Sequence, residues 1–317
     1  MEETLELAKP SDRTFIQVSE VWVPEGDVLV HRGGNYGAFD GFAEASRRQS
    51  FAKGEGLPGK AWAEGRPVVL KTFDGSYFKR TEAAREAGLT SAVAVPVFAG
   101  AELKGVLVVL CGDDAEHAGA IEVWEDRDNA LRLDDGYYGT AQTFEAVSQT
   151  ISFSRGQGLP GAVWAANTPI LMRDVGTTYA FLRAASAGEA GIKTGLGLPI
   201  PSPADKTCVL TLLSAPGTPI ARRFEIWDAR ATRTGSAKKA MLIDGICERK
   251  GPLWSNLNPP VDAPVASAWQ GAIGQVIGSG LPHVTSDAPG LPAGYTSMVA
   301  LPIYDRAELA YIVAWYL

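Results

Sequence analysis

Gly54-Glu55-Gly56-Leu57-Pro58-Gly59 returns as Gly156-Gln157-Gly158-Leu159-Pro160-Gly161, 102 positions later. Other landmarks keep the interval: Trp22 to Trp124 is 102, Trp124 to Trp227 is 103, and Pro96, Pro199 and Pro302 are spaced by 103. A third, degenerate version stands in phase at Gly271-Ala272-Ile273-Gly274, followed by Gly280-Leu281-Pro282. A period of about 100 residues is too long for a solenoid unit, so each copy is expected to be a small domain of its own. The chain then divides into residues 1–114, 115–217 and 218–317. Domains of this size bury a limited share of their surface, and the three are expected to lean on one another.

One copy reads as mostly strand. Phe15 to Val23 has strand composition, Pro24-Glu25-Gly26-Asp27 is a turn, and Val28 to His31 returns, which makes a hairpin. Gly41 to Phe51 is a polar, small-residue stretch, and Lys60 to Glu64 is a helix of at most two turns that Gly65 and Pro67 stop. Strands follow at Pro67 to Leu70 and Ala92 to Val97, with a helix at Thr81 to Ala87 between them and Gly88 as its cap. Leu103 to Cys111 is so apolar that it should be the central strand, covered on both faces. Copy two repeats this order, with helices at Thr140 to Thr150 and near Phe181 to Ala190. In copy three the interval from Pro282 to Pro302 is 20, against 29 from Pro67 to Pro96, so its second helix should be missing. Pro259, Pro260 and Pro264 mark an irregular insertion there. The pattern predicts an α+β fold in which a central antiparallel sheet carries short covering helices.

Residues Phe51 to Cys111, with GEGLPGKAWAEGRPVVL and then AGL.SAVAVPVFAGAELKGVLVVL, resemble the GAF domain family, and Phe153 to Leu213 resemble it too. The resemblance implies three tandem GAF-like (PAS-like) domains, the third degenerate. It also implies small-molecule sensing between a sheet and covering helices, usually as dimers within signalling proteins. The long flanking helices that commonly mediate dimerisation are not expected in this chain, nor is an output domain.

Composition narrows the partners. A net charge of -7 without a basic stripe argues against nucleic acid. No apolar run approaches a membrane span, and Met1 to Pro10 carries acids where a secretory signal has bases, so a cytoplasmic protein without a membrane partner is expected. Cys111, Cys208 and Cys247 show no close pairing and are expected reduced and mostly buried. His31, His117 and His283 fall in different copies, which gives no support for metal or haem, and His117 is expected in a solvated acidic linker. No cysteine stands beside a histidine, as a bilin site would require, and the cyclic-nucleotide signature of tandem GAF domains does not occur. The glycine phrase fits GxGxxG and most of a phosphate loop. Ala61 nevertheless lacks the magnesium-binding hydroxyl, Ala162 replaces Lys60 in copy two, and Gly65 ends the following helix too early for a dinucleotide site. A nucleotide cofactor is therefore not expected, and the phrase reads as a turn that needs positive backbone angles.

The candidate ligand residues lie downstream of the phrase. Copy one offers Lys71, Asp74, Tyr77, Phe78 and Arg80, and copy two offers Arg173, Asp174, Tyr179, Phe181 and Arg183, with Trp62 and Trp164 on the short helix beneath. A cation, a carboxylate and aromatics in one loop suit a small polar or anionic ligand. The leading expectation is a non-enzymatic, small-molecule-sensing or signalling protein, with Lys71 or Arg173 near the pocket mouth. The alternatives are a ligand-free protein-interaction scaffold, working through a partner protein or a homodimer, and a redox enzyme using Cys111.

Overall fold

The structure, a computed structural model, describes residues 14–112, 117–204, 206–230, 238–254, 258–286 and 291–317. The N-terminal Met1 to Pro10 segment and linker residues 113–116 lie outside it.

Three antiparallel sheets follow one another along the chain. The first holds β1 (Ile16–Glu25), β2 (Val28–Asn35), β3 (Ser50–Ala52), β4 (Val68–Leu70), β5 (Leu89–Ala99) and β6 (Glu102–Gly112), in the order β3-β2-β1-β6-β5-β4. The second holds β7 (Ala118–Arg127), β8 (Ala130–Gly139), β9 (Ser152–Phe153), β10 (Ile170–Arg173), β11 (Thr194–Ile200) and β12 (Cys208–Ser214), in the same order, β9-β8-β7-β12-β11-β10. The third repeats it with β13 (Arg223–Asp228), β14 (Lys239–Cys247), β15 (Gly251–Pro252), β17 (His283–Ser286), β18 (Ser297–Asp305) and β19 (Glu308–Tyr316), while β16 (Val265–Ser267) pairs with β14 off this path. The doubly covered strand expected at Leu103 to Cys111 is β6, placed between β1 and β5.

Helices cover one face of each sheet. In the first unit they are α1 (Asp40–Arg47), α2 (Gly56–Glu64) and α3 (Thr81–Glu86); in the second, α4 (Gln142–Thr150), α5 (Gly158–Ala166) and α6 (Ala184–Glu189); in the third, α7 (Gly271–Ser279). The polar stretch after Gly41 is thus helical, because Phe42, Ala43 and Ser46 fall on one face and bury it. The third unit lacks a second lid helix among the described residues, as the shortened interval implied, although residues 287–290 lie outside them.

The glycine phrase is half turn and half helix. Gly54, Gly56, Gly156 and Gly158 have positive φ, and the phrase runs on into the first turn of α2 or α5. Its last glycine has a different reason. A Cβ on Gly59 would overlap the carbonyl oxygen of Ala52, one on Gly161 that of Ser154, and one on Gly274 that of Ser267. The helix start is pressed against the preceding strand in all three units. Gly161→Ala should therefore cost about 1–3 kcal/mol of stability, read from urea unfolding; an unchanged midpoint would contradict this packing.

The other face of each sheet is covered by the other two units. Along β5, Val93, Val95 and Val97 point away from the helices, as do Leu196, Leu198 and Ile200 on β11 and Val299, Leu301 and Ile303 on β18. These side chains join Leu107, Leu210, Val313 and Trp315 in a single buried cluster drawn from all three units. Where β5, β11 and β18 converge, the remaining void is only about 10 Å³, at the lower limit for one water. The period of two places alternate residues in two different cores, which is why these strands read as unbroken apolar runs.

Pro96, Pro199 and Pro302 are buried, each two residues past the last one that pairs with edge strand β4, β10 or β17, and Pro96 and Pro302 border the seam. The edge ladder has ended there, and proline has no N–H to leave unsatisfied.

The units meet head to tail. Lys71 of the first pairs with Asp135 at 3.0 Å and Glu145 at 3.4 Å in the second, and Arg173 of the second pairs with Asp244 of the third. Asp135 and Asp244 occupy the same register, opposite Val123 and Ile226. The seam from the third unit to the first sets β17 beside β2, with Asn35 Nδ2 donating to Ser297 Oγ at 2.8 Å. A heterologous contact that closes after three steps makes a ring.

Candidate functional site

Each first strand carries one carboxylate on its helix-covered face. Val18, Glu20 and Trp22 alternate on that face of β1, and Glu20 is fully buried. Glu122 and Trp124 stand likewise on β7, and Glu225 and Trp227 on β13. Burying a lone carboxylate costs several kcal/mol or more, so each needs partners at hand.

In the first unit the partner comes from the lid. Arg80, just before α3, hydrogen-bonds Glu20 Oε1 and Ser46 Oγ, while Trp22 Nε1 donates to Glu20 Oε2 at 3.2 Å and the Tyr36 hydroxyl to Oε1 at 3.1 Å. The guanidinium carbon lies 5.4 Å from the Trp22 ring centre, 4.7 Å from Phe42 and 5.1 Å from Phe78. Aromatic faces thus meet the cation where hydrogen bonds do not. The second unit repeats the arrangement: Arg183 grips both oxygens of Glu122 and the hydroxyl of Ser148, with Trp124 Nε1 at 3.0 Å, Tyr138 at 3.0 Å and Thr211 Oγ1 at 2.8 Å. Phe144, Phe153, Phe181 and Trp124 surround its guanidinium at 4.4 to 5.5 Å. The Arg80 and Arg183 side chains are 1% and 0% exposed.

The third unit, with no such lid helix among its described residues, solves the same problem locally. Arg223 stands two residues before Glu225 on β13, where Val18 and Ala120 stand in the other units, and a period of two puts it on the same face. Its Nε donates to Glu225 Oε1 at 2.7 Å, with Trp227 Nε1 at 2.9 Å and the Tyr316 hydroxyl at 2.7 Å on Oε2.

Burial alone would raise the Glu20 and Glu122 carboxyls, but the charge and hydrogen bonds of Arg80 and Arg183 hold both below the usual carboxylate range. Burial and the adjacent carboxylates push the Tyr36 and Tyr138 hydroxyls far up, so both remain donors. On acidification the unfolded carboxyls take their protons first, near pH 4.3. The stability these groups contribute is complete above that pH and is lost as pH falls through their folded values. Glu122→Gln should flatten the acid limb of a stability–pH profile below about pH 4.3; an identical acid limb would contradict the depressed carboxyl.

The expected ligand residues separate into three groups. Phe78, Arg80 and Phe181 turn inward and build the cages. Lys71 and Arg173, expected near a pocket mouth, instead tie each unit to the next. Asp74 pairs with Arg85 at 2.7 Å on the surface, Tyr77 lies under the Lys60 ammonium at 5.2 Å, and Tyr179 is wholly exposed. Asp174, in a left-handed turn, accepts the amides of Thr177 and Thr178 through its carbonyl. Trp62 and Trp164 are half-buried, facing Lys53 at 5.9 Å and Arg155 at 6.0 Å. The three cysteines form no disulfide and are buried, and Cys111 is 1% exposed on the seam side of β6. His117 is buried against Phe15 rather than solvated, because the strand it leads into carries it under the first unit.

Glu20, Glu122 and Glu225 were not among the residues singled out from the sequence. The signal was available: Glu20-Val21-Trp22, Glu122-Val123-Trp124 and Glu225-Ile226-Trp227 recur in register, and Arg80 and Arg183 are 103 apart.

A family model described as a GAF domain matches residues 1–125. Over those residues the chain matches the GAF family. Solved GAF structures are similar over about one unit. The nlh2 GAF domain of A. aeolicus is 25% identical over 31% of this chain and 59% of that one, with a TM-score of 0.26. The GAF domain of a phosphoenolpyruvate-protein phosphotransferase from Coxiella burnetii is 20% identical over 32% and 58%, with a TM-score of 0.26. A free methionine-R-sulfoxide reductase from Neisseria meningitidis is 20% identical over 30% and 52%, with a TM-score of 0.25. The chain thus spans between half and six-tenths of the length of these structures. Among curated proteins no match is found. The GAF fold supports a ligand-sensing or signalling role. No helix among the described residues is long and apolar enough to cross a membrane.

Proposed function

We propose that this chain is a non-enzymatic sensing or signalling protein whose first two GAF-like units have closed their interiors with arginines of their own. The observation that carries the reading is the burial of Arg80 and Arg183. Each occupies the space between sheet and lid, paired to a carboxylate and ringed by aromatics, as a bound cationic ligand would be. A small molecule would have to displace an intramolecular ion pair to enter.

Methylguanidinium tests the closure. At millimolar concentration it should leave the thermal midpoint of the parent protein unchanged and raise that of Arg183→Gly, which vacates the cage. Stabilisation of the parent would mean that the interior is open and would overturn the reading.

The non-enzymatic part has its own support. Cys111 faces the seam between units and is 1% exposed, out of reach of a substrate, and burial raises the Cys208 thiol far above its ordinary value, away from the thiolate. Native protein given a thiol reagent should show no labelling at Cys111 or Cys208 by peptide mapping. Rapid labelling of Cys111 would revive the redox alternative.

The scaffold alternative is favoured by one feature. Val261, Val265 and Trp269 of the third unit are exposed at 110%, 51% and 62%, and apolar surface of this kind is used by protein partners.

A further inference from the structure

At one end of the ring the three units differ. The first turns from β5 to β6 through Gly100-Ala101, and the third from β18 to β19 through Arg306-Ala307, both tight turns of two residues. The second needs residues 201–207 between β11 and β12. Pro203 of this longer connection lies against Gly65 of the first unit. A cavity of about 670 Å³ lies at this end, bordered by Gly100 and Ala101, by Trp164, Arg155 and Lys206, and by Tyr304, Asp305 and Arg306. That volume lies within the range of about 300–1,000 Å³ usual for small-molecule sites.

The lining is cationic on one side of an aromatic wall. Arg155 and Arg306 are exposed, and among the described residues neither has a carboxylate partner. Lys206 is 3.4 Å from Glu125, and Asp305 is the one carboxylate on the described rim. The indole of Trp164 is half-buried with the Arg155 guanidinium 6.0 Å from its ring centre.

Arg306 stands at a cost. Its φ is 56°, in the left-handed region, where the matching residue of the first unit is Gly100 at 61°. A side chain there is strained relative to glycine, and its carbonyl accepts the amide of Gly100 across the units. The tight turn therefore retains an arginine where glycine is favoured, and the arginine borders the cavity.

We propose that this cavity binds a small organic anion, a flat ring bearing a carboxylate or a phosphate. The ring stacks on Trp164 while Arg155, Arg306 and Lys206 take the charge. The site belongs to the assembled ring and to no single unit. It goes beyond the closed interiors, since residues of all three units border it.

Isothermal calorimetry with 1-naphthoate and 1-naphthyl phosphate tests this, with naphthalene-1-methanol and inorganic phosphate as controls. The expected result is saturable one-to-one binding of at least one of the two anions, and their ranking tells carboxylate from phosphate. Arg155→Ala and Arg306→Gly should each weaken binding at least fivefold, and the neutral alcohol should not bind. Arg306→Gly relieves the backbone and should keep or raise the thermal midpoint, so loss of binding in that variant is not loss of fold. Absence of saturable heat for both anions at millimolar concentration would overturn the proposal, as would unchanged affinity in both variants. Inorganic phosphate binding as tightly as the aromatic anions would remove the role of Trp164 and overturn it too. Such failures leave the methylguanidinium result untouched, so the two readings fall separately.

Discussion

Arg183→Met is expected to lower the unfolding free energy by about 3–5 kcal/mol. The guanidinium is fully buried and grips both oxygens of an equally buried Glu122. Taking it away leaves a carboxylate in an aromatic cage with only neutral donors. The Coulomb gain of the intact pair is not the source of the loss, because desolvation offsets most of it; the loss is the charge left behind. Adding Glu122→Gln to Arg183→Met should therefore restore part of the stability, and a double-mutant cycle in urea would show strong coupling. Arg85→Met supplies the contrast. Its side chain is 55% exposed beside Asp74 and Glu82, and solvent screens exposed pairs of this kind so that they contribute little. If Arg183→Met cost no more than Arg85→Met, the cage would have no energetic role.

Leu301→Ala should cost about 2–5 kcal/mol and should destabilise the whole chain together. Leu301 is 1% exposed and faces the seam where β5, β11 and β18 meet. Little room exists for the neighbours to collapse, so most of the vacated volume stays as a cavity. The seam is shared, and its loss is felt by every unit. Far-ultraviolet circular dichroism and tryptophan fluorescence should report one shifted transition. Independent units would instead give a shifted fraction and an unshifted remainder. That outcome would mean that the ring is a loose association and not one core.

Much of each unit was legible along the chain. The recurrence of the glycine phrase gave the copies, the prolines at 96, 199 and 302 gave their phase, and the apolar run at Leu103 to Cys111 gave the central strand. Helix α1 was less visible, because Phe42, Ala43 and Ser46 form a short apolar stripe among polar neighbours. Arg80 and Phe78 were visible as residue types, yet their direction was not. A cation and an aromatic in a loop look alike whether they await a ligand or close over a carboxylate sixty residues away. Glu20 was passed over for the complementary reason: one acid in an apolar strand carries no meaning until its partner is known.

By itself the sequence determined the repeat, the strand and helix order within each copy, and the glycines, since these follow from local spacing and backbone sterics. Only the tertiary structure decided that the sheets close head to tail around one core, and that Lys71 and Arg173 hold seams. It alone decided that Arg80 and Arg183 turn inward onto Glu20 and Glu122. Periodicity states which residues share a face. What covers that face depends on contacts between distant parts of the chain, and these leave no local pattern to read.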